Sequence, residues 1–217
     1  METKRAVIFA NGQLTDANQV LAQIRPDDVL IAADGGLHHL QALGLSPHVL
    51  IGDFDSISED EVEVARSNGA TVLSYPREKD ETDLELAIKY TIDQGCTTLR
   101  IIAALGGRLD HTLANLFLLE MPALQDLDVR IDDGHEEIFI IKRPLTIAGQ
   151  AGDTLSLLAL ETCARGVYTQ GLKYPLREET LCPHLSRGVS NEMIEDEARV
   201  SLHSGRLLCI HTRQTKR

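Results

Sequence analysis

The chain has 217 residues, and 21 Lys and Arg side chains stand against 33 Asp and Glu, which gives a formal net charge of −12. This acidic balance, without any Lys- or Arg-rich run, argues against a nucleic acid partner or an anionic membrane surface, because phosphate groups require clustered positive charge. No apolar run approaches the roughly 18 residues of a membrane-spanning helix, and the apolar stretch near the start is too short for a signal peptide. We therefore expect a cytoplasmic protein that does not bind membranes.

The first part of the chain, up to residue 133, alternates short apolar runs with helical stretches, the pattern of an α/β fold. The runs are rich in Val, Ile and Leu without polar alternation, as expected for parallel strands that are buried on both faces. They cover Ala6–Ala10, Val29–Ala33, His48–Ile51, Thr71–Leu73, Leu99–Leu105 and Val129–Ile131. Ser58 and Thr82 each stand three residues before a Glu, which predicts the N-terminus of a helix. Gly69 and Gly95 stand where the following C-terminal caps belong.

From about residue 142, Pro and Gly punctuate short apolar segments, which predicts strands and turns. Predicted strands here include Thr154–Leu160, Val200–Leu202 and Leu207–His211. We therefore predict two domains, a parallel-sheet α/β domain over residues 1–141 and a smaller all-β, sandwich-like domain over residues 142–217. The second domain has about 75 residues, near the lower size for independent stability, so docking or dimerisation is expected to support it.

The four cysteines show no Cys-x-x-Cys spacing and are sparse for a disulfide scaffold. Reduced thiols are therefore the expectation, and no zinc site is predicted. The residues are Cys96, Cys163, Cys182 and Cys209.

Four clusters of acidic or glycine residues follow the predicted strands, at the edge where open α/β sheets bind ligands. Carboxylates gathered at one edge repel one another unless a cation lies among them, which predicts a Mg²⁺ site. Asp53 and Asp55, two apart in an extended segment, point the same way and can reach one ion. A turn with two solvated aspartates is the alternative for this pair, and a favourable position in the first turn of a helix is the alternative for Asp83. The clusters are Asp34-Gly35-Gly36, Gly52-Asp53-Phe54-Asp55-Ser56, Lys79-Asp80-Glu81-Thr82-Asp83 and Gly106-Gly107-Arg108-Leu109-Asp110-His111.

Paired glycines lie between a strand and a helix in two of these clusters, and they let backbone N–H groups approach phosphate oxygens. Closing a tight turn is the alternative role for either pair. Arg108, directly after the second pair, adds a planar donor fork suited to phosphate. Neither a Walker-type phosphate loop nor a Gly-x-Gly-x-x-Gly motif occurs, which excludes the commonest nucleotide-binding classes.

These clusters, in this order and followed by Gly171-Leu172-Lys173-Tyr174-Pro175-Leu176 and Ser190-Asn191, closely resemble the motifs of thiamine pyrophosphokinases. The resemblance covers nearly the whole chain. It implies an enzyme that transfers the diphosphoryl group of ATP to the hydroxyl of thiamine, giving thiamine diphosphate and AMP. It also implies an α/β catalytic domain that binds ATP and Mg²⁺, a β domain that binds thiamine, and a homodimer with a composite active site. Some members pack thiamine against a Trp, and this chain has none.

The resemblance assigns roles by motif position. Asp53, Asp55 and Asp83 are expected to hold the metal, Arg108 to hold phosphate, and Asp110 to engage the thiamine hydroxyl. Asp110 has a simpler alternative role as the N-cap of the following helix. Ser190 and Asn191 are expected to contact thiamine, and the expected nucleotide-binding residues are Asn11, Gly12, Asp34, Gly35, Gly36, Lys79, Asp80, Gly106, Gly107, Arg108 and His111.

Two other functions stay open from the residues alone. An apolar strand running into Asp53-Phe54-Asp55-Ser56 is similar to the nucleophile motif of haloacid-dehalogenase-type phosphohydrolases, and a non-catalytic nucleotide or thiamine-binding module is the other alternative. The acceptor is also open, because a similar design could serve another hydroxymethyl compound such as a pterin.

Overall fold

The computed structural model describes residues 4–214, so the outermost residues of the two predicted domains, 1–3 and 215–217, lie outside it. The chain divides into two compact units, which we call the α/β unit, up to Gly134, and the β unit, from His135. The predicted boundary after residue 141 falls later than this division. The strand over residues 136–141 pairs along its whole length with the last strand of the β unit. No helix in the described part of the chain is long and apolar enough to cross a membrane.

Residues 4–134, the described part of the α/β unit, form six parallel strands joined by helices. The strands are β1 (Arg5–Phe9), β2 (Val29–Ala33), β3 (Val49–Gly52), β4 (Thr71–Ser74), β5 (Thr98–Ile102) and β6 (Asp128–Asp132). The helices are α1 (Ala17–Leu21), α2 (Gly36–Ala42), α3 (Glu59–Ser67), α4 (Asp83–Asp93), α5 (Leu109–Leu118) and a short 3₁₀ helix, Pro122–Leu124. The predicted strands are confirmed, although the fifth ends at Ile102 and not at Leu105, because Ala103 has a φ of 55°.

The strand order in the α/β unit is β6-β5-β1-β2-β3-β4, and every neighbouring pair is parallel. The chain therefore reverses direction across the sheet between β1 and β5, where a crevice opens at the carboxyl ends of the strands. Ile8 on β1 pairs with Ile31 and Ile101 and is fully buried, which explains the unbroken apolar strands. The predicted N-terminus of α3 is confirmed, since Ser58 and Glu61 form a reciprocal capping box.

The described part of the β unit, residues 135–214, contains eight strands in two antiparallel arrays. The strands are β7 (Glu136–Ile141), β8 (Leu145–Ala148), β9 (Thr154–Ala159), β10 (Ala164–Gln170), β11 (Glu179–Leu181), β12 (Asn191–Glu192), β13 (Glu197–Ser201) and β14 (Leu207–Thr212). The orders are β12-β9-β14-β7 and β11-β10-β13-β8. Both arrays contribute to one apolar core that includes Phe139, Leu155, Val167 and Val200, which confirms the sandwich-like prediction.

Cys163 and Cys182 form a disulfide, so the expectation of four reduced thiols is wrong for this pair. The pairing of Ala164 with Leu181 in β10 and β11 places the two cysteines opposite each other, with their Cα atoms 4.1 Å apart. This pairing depends on strand register, which a separation of 19 residues in sequence does not reveal. Cys96 and Cys209 are free and buried.

Candidate active site

A cavity of about 690 Å³ opens at the carboxyl ends of the parallel strands in the α/β unit, a size in the usual range for small-molecule sites. Its walls come from the segments after β1, β2, β3 and β5 and from the first turns of α4 and α5. The lining residues are Ala10, Asn11, Gly12, Gln13, Ala33, Asp34, Asp55, Ser56, Lys79, Thr82, Asp83, Leu84, Ala104, Gly106, Gly107, Arg108, His111 and Asn115. The cavity thus brings together residues from all four of the clusters that the sequence places after strands.

Three carboxylates converge beside this cavity. Asp34, Asp53 and Asp55 each offer an oxygen within 4.8 Å of the others. Asp34 follows β2 with a φ of 45°, and Phe54, between the other two acids, has a φ of 61°. These left-handed conformations are costly for residues with a side chain and are typical of functional sites. The two acids of the Asp-x-Asp pair therefore converge through a tight turn, and not through the extended segment that the sequence suggested.

Asp83 and Lys79 form the second part of the site. The ammonium of Lys79 lies 3.1 Å from a carboxylate oxygen of Asp83 and 3.5 Å from one of Asp53. Burial raises the pKa of Asp83, and Lys79 offsets part of this effect. Burial also opposes the charge on Lys79, but the two carboxylates raise its pKa above 10.5. The converging trio therefore includes Asp34, which the sequence assigned to the nucleotide pocket, while the predicted ligand Asp83 lies against Lys79.

Arg77 was not predicted as a site residue. It lies in the loop before Lys79, and its guanidinium donates a 2.6 Å hydrogen bond to Asp55. This contact lowers the pKa of Asp55, and the Arg77 side chain remains largely exposed. In the sequence, Arg77 is one more cation in an acidic loop. Its contact with Asp55 follows only from the geometry of the folded loop.

The donor set fits a divalent cation. One carboxylate oxygen of the buried Asp34 has no hydrogen-bond partner among the described residues. Among the described residues, Arg77 and Lys79 pair with carboxylates of the cluster Asp34, Asp53, Asp55 and Asp83, so the cluster holds more acidic than basic side chains. Oxygen ligands of this kind are what Mg²⁺ prefers.

The start of α5 carries the predicted phosphate and acceptor residues. Arg108 is the N-cap residue of α5, so the alternative role of Asp110 as the N-cap is wrong. Asp110 lies in the first turn and accepts a 3.1 Å hydrogen bond from Nε of Arg108, which lowers the pKa of the carboxyl group. Both side chains are exposed, and Arg108 and His111 line the cavity.

The glycines of the site have two different roles, close packing of the backbone at one position and an exposed backbone turn at another. A Cβ on Gly36 would lie 1.9 Å from the carbonyl oxygen of Phe9, so Gly36 allows α2 to pack against β1. Gly107 has a φ of 65° and open space around it, which suits a backbone that approaches a ligand. Asn11 and Gly12 line the cavity, whereas Gly35, Gly36, Asp53 and Asp80 are not among the described residues that do so.

The predicted thiamine contacts, Ser190 and Asn191, lie in the β unit. Asn191 is buried, and its amide group binds the backbone N–H and carbonyl of Tyr174 at 3.0 and 2.7 Å. Ser190 is exposed, and its φ of 56° presents it at a tight turn. Exposed apolar side chains lie near Ser190 in the sequence, at Leu185, Val189 and Ile194.

Several residues that sequence reasoning missed also support the cavity. The Asn115 amide donates a 2.8 Å hydrogen bond to the carbonyl of Ala104, and a ring nitrogen of His39 lies 2.9 Å from the carbonyl oxygen of Gly12. Asn115 falls seven residues after Arg108 on α5, so the helical period could have placed it on the same side of the helix. His39 is partly buried, and its contact with Gly12 supports the segment after β1.

The chain matches two family profiles. "Thiamin pyrophosphokinase, catalytic domain" matches residues 21–131, and "Thiamin pyrophosphokinase, vitamin B1 binding domain" matches residues 140–207. The chain is 28% identical to a thiamine pyrophosphokinase of Bacillus subtilis over 190 residues, which is 84% of this chain and 86% of the relative. It is 39% identical to thiamine pyrophosphokinase 1 of Arabidopsis thaliana over 79 residues, which is 34% of this chain and 30% of the relative.

Solved structures show the same similarity. The crystal structure of thiamine pyrophosphokinase from Bacillus subtilis aligns with a TM-score of 0.87 and 25% identity over 98% of this chain and 100% of the other. A thiamin pyrophosphokinase family protein from Enterococcus faecalis aligns with a TM-score of 0.83 and 27% identity over 98% and 100% of the two chains.

Proposed function

Because the chain belongs to the thiamine pyrophosphokinase family, we propose that it uses the cavity of the α/β unit to transfer the diphosphoryl group of ATP to the hydroxyl of thiamine. The products are thiamine diphosphate and AMP. The observation that supports this site best is the convergence of Asp34, Asp53 and Asp55 beside a cavity of suitable size. Transfer of a charged phosphoryl group depends mainly on positioning and on neutralising negative charge, and this cavity offers groups for both tasks.

We assign the metal site to Asp34, Asp53 and Asp55, with Asp83 close by. Bound Mg²⁺ would neutralise phosphate oxygens and orient them for in-line attack. Lys79 holds Asp53 and Asp83 in place and limits the repulsion between them. The chain as a whole is acidic, so local cations are needed to offset its repulsion of a highly charged nucleotide.

The first turn of α5 and the glycine turn before it suit the phosphates. Backbone N–H groups at Gly106 and Gly107 and the N-terminus of α5 favour anions. Arg108 adds a donor fork, and as the N-cap residue of the ten-residue helix α5 its backbone has a defined position. Asn11, Gly12 and His111 line the same cavity and are assigned to the nucleotide.

We assign the thiamine hydroxyl to Asp110. Its contact with Arg108 lowers its pKa, so at neutral pH it is a carboxylate that accepts a hydrogen bond from the hydroxyl. This hydrogen bond would leave the lone pairs of the hydroxyl oxygen free for attack on the β-phosphorus. The same Arg108 can then bind both the carboxylate and a phosphate oxygen through different N–H groups.

We further propose a homodimer that completes the thiamine site. Helix α5 has no buried residue, and Leu109, Leu113 and Phe117, spaced four apart, form an exposed apolar stripe that starts beside Arg108. Such a stripe on a helix is typically covered by another surface. A second copy could supply Ser190 and the exposed apolar residues around it to the thiamine ring, in place of the missing Trp.

We assign Asn191 a supporting role in this scheme, because its side chain binds the backbone of Tyr174. We therefore expect Ser190 to contact the substrate and Asn191 to hold the turn that presents it. This refines the pair of contacts that the motif suggests.

The activity is tested by incubating the purified chain with ATP, Mg²⁺ and thiamine and separating the nucleotides and thiamine esters by chromatography. AMP and thiamine diphosphate in equal amounts support the proposal. Formation of ADP with thiamine monophosphate, or release of inorganic phosphate without any thiamine ester, would contradict it. A hydroxymethylpterin in place of thiamine serves as the acceptor control.

A further inference from the structure

We propose that the disulfide between Cys163 and Cys182 is reversibly reduced and holds the loop over residues 183–190 in place. Reduction of this disulfide would then weaken thiamine binding. The inference rests on the proposed role of Ser190, the last residue of this loop. It also concerns a pair of cysteines that the pyrophosphokinase reaction does not use.

The disulfide joins the ends of two neighbouring strands. Cys163 stands just before β10 and Cys182 just after β11, directly opposite each other in the antiparallel register. Both cysteines are partly exposed. Cys96 and Cys209, in contrast, are 3% and 0% exposed, and burial raises the pKa of the Cys96 thiol. The accessible redox couple of the chain is therefore the Cys163–Cys182 pair.

The strand that the disulfide reinforces is a weak one. β11 has three residues, lies at the edge of its array, and pairs with β10 only at two positions with an irregular register between them. Edge strands of this length contribute little stability on their own. The disulfide therefore supplies a covalent link where the ladder of hydrogen bonds is shortest.

The loop depends on β11 at two points. It begins at Cys182, and within it Arg187 binds Glu179 of β11 through two hydrogen bonds of 2.7 Å. Its other long-range backbone contacts are the bond from the Leu157 N–H to the Gly188 carbonyl and the bond from the Ser190 N–H to the Ser156 hydroxyl. Loosening β11 would thus release the entry of the loop and its ion pair together.

The chemistry is an ordinary thiol–disulfide exchange. A thiolate of an added dithiol attacks one sulfur, forms a mixed disulfide and releases the other cysteine as a thiolate, which takes up a proton. The second thiol of the reagent then closes its own disulfide and frees the second cysteine. The protein gains two electrons and two protons, and the dithiol loses them. In a reducing compartment, such a partly exposed disulfide would exchange with the thiol pool, and its state would follow the redox poise of that pool.

The first test uses trypsin on the full chain, with and without dithiothreitol. Cleavage after Arg187 reports on the loop, and cleavage after Arg77, in an exposed loop of the α/β unit, is the internal reference. We expect reduction to speed cleavage after Arg187 relative to Arg77 by roughly fivefold, because local opening controls proteolysis. Equal rates under both conditions would overturn the proposal. Alkylation showing that the two thiols stay reduced under air would overturn it as well.

The second test measures steady-state kinetics of the oxidised and the reduced enzyme. The KM for thiamine should rise roughly fivefold on reduction while the KM for ATP stays constant. The Cys163→Ser variant should behave like the reduced enzyme under both conditions, and treatment of the wild type with dithiothreitol gives the same information if this variant does not fold. An unchanged KM for thiamine would overturn the link to binding. A complete lack of pyrophosphokinase activity would instead refute the proposed function. The trypsin test would still show whether the disulfide holds the loop in place.

Discussion

The guanidinium of Arg77 lies 2.6 Å from a carboxylate oxygen of Asp55, so an exposed arginine neutralises one of the three converging acids. Any cation that binds to this trio must share Asp55 with Arg77 or displace it. Lys79, in contrast, is held between Asp53 and Asp83 and is mostly buried. The two cations of the site therefore differ in how easily they can move away.

We expect the Arg77→Gln variant to bind a divalent cation more tightly than the wild type in the absence of nucleotide. An exposed ion pair is weak, so the dissociation constant should fall only modestly, by up to about fivefold. Titration with Mn²⁺, followed by electron paramagnetic resonance, measures this directly. Arg66→Gln, which removes an exposed ion pair on α3, is the matched control, and an equal effect of both variants would rule out competition at Asp55.

Changing Asp53 or Asp55 to Asn should remove most of the metal affinity. The amide keeps the shape of the carboxylate but loses its charge, so turnover should fall by about two orders of magnitude or more while the fold persists. Asp60→Asn, on the exposed first turn of α3, is the control for a general effect of charge. A fully active Asp55→Asn enzyme with normal Mn²⁺ binding would remove Asp55 from the metal site.

The sequence predicted the α/β unit well because the strands β1, β2 and β3 of its sheet are buried on both faces. Unbroken apolar runs such as the one around Ile8 predict where the strands lie, and Ser58 and Gly69 mark the ends of a helix. The convergence of the carboxylates could not be predicted in this way. Asp34 reaches Asp53 through left-handed backbone turns between parallel strands, and no local pattern predicts which strands are neighbours.

The β unit was less predictable, since its short strands and turns carry weaker periodic signals. The buried Asn191 illustrates the difficulty, because its motif suggested a contact with thiamine, whereas its side chain binds the backbone of Tyr174. The same holds for Cys163 and Cys182, whose pairing follows from a register that only the folded strands define.

The apolar stripe on α5 leads to a prediction about assembly. Replacing Phe117, which is 65% exposed, with Asp should abolish dimer formation and lower activity, because a charge would be buried in the interface. Val64 on α3 is 55% exposed and apolar, and Val64→Asp should leave both properties unchanged. Sedimentation velocity gives the mass of the particle. A wild-type enzyme that is active as a monomer would contradict the composite site.

His211 gives the β unit a pH-dependent stability. Burial alone would lower its pKa, but the carboxylates of Glu137 and Asp153 raise it above 6.5. His211 therefore stabilises the fold fully below its unfolded pKa, and this contribution is lost as the pH rises through the higher folded pKa. The loss in free energy of unfolding caused by His211→Gln should be larger near about pH 6 than near about pH 9. Urea denaturation at both values measures it, and equal losses would show that folding does not raise the pKa of His211.

The transfer of the diphosphoryl group is tested most directly with ATP that carries a ³²P label on its β-phosphorus. Incubation of the wild-type enzyme with this nucleotide, Mg²⁺ and thiamine should place the label in thiamine diphosphate in step with the release of unlabelled AMP. The Asp55→Asn enzyme should transfer almost none. Label that stays in ADP or appears as inorganic phosphate while thiamine is unchanged would contradict the assignment of this activity to the carboxylate site.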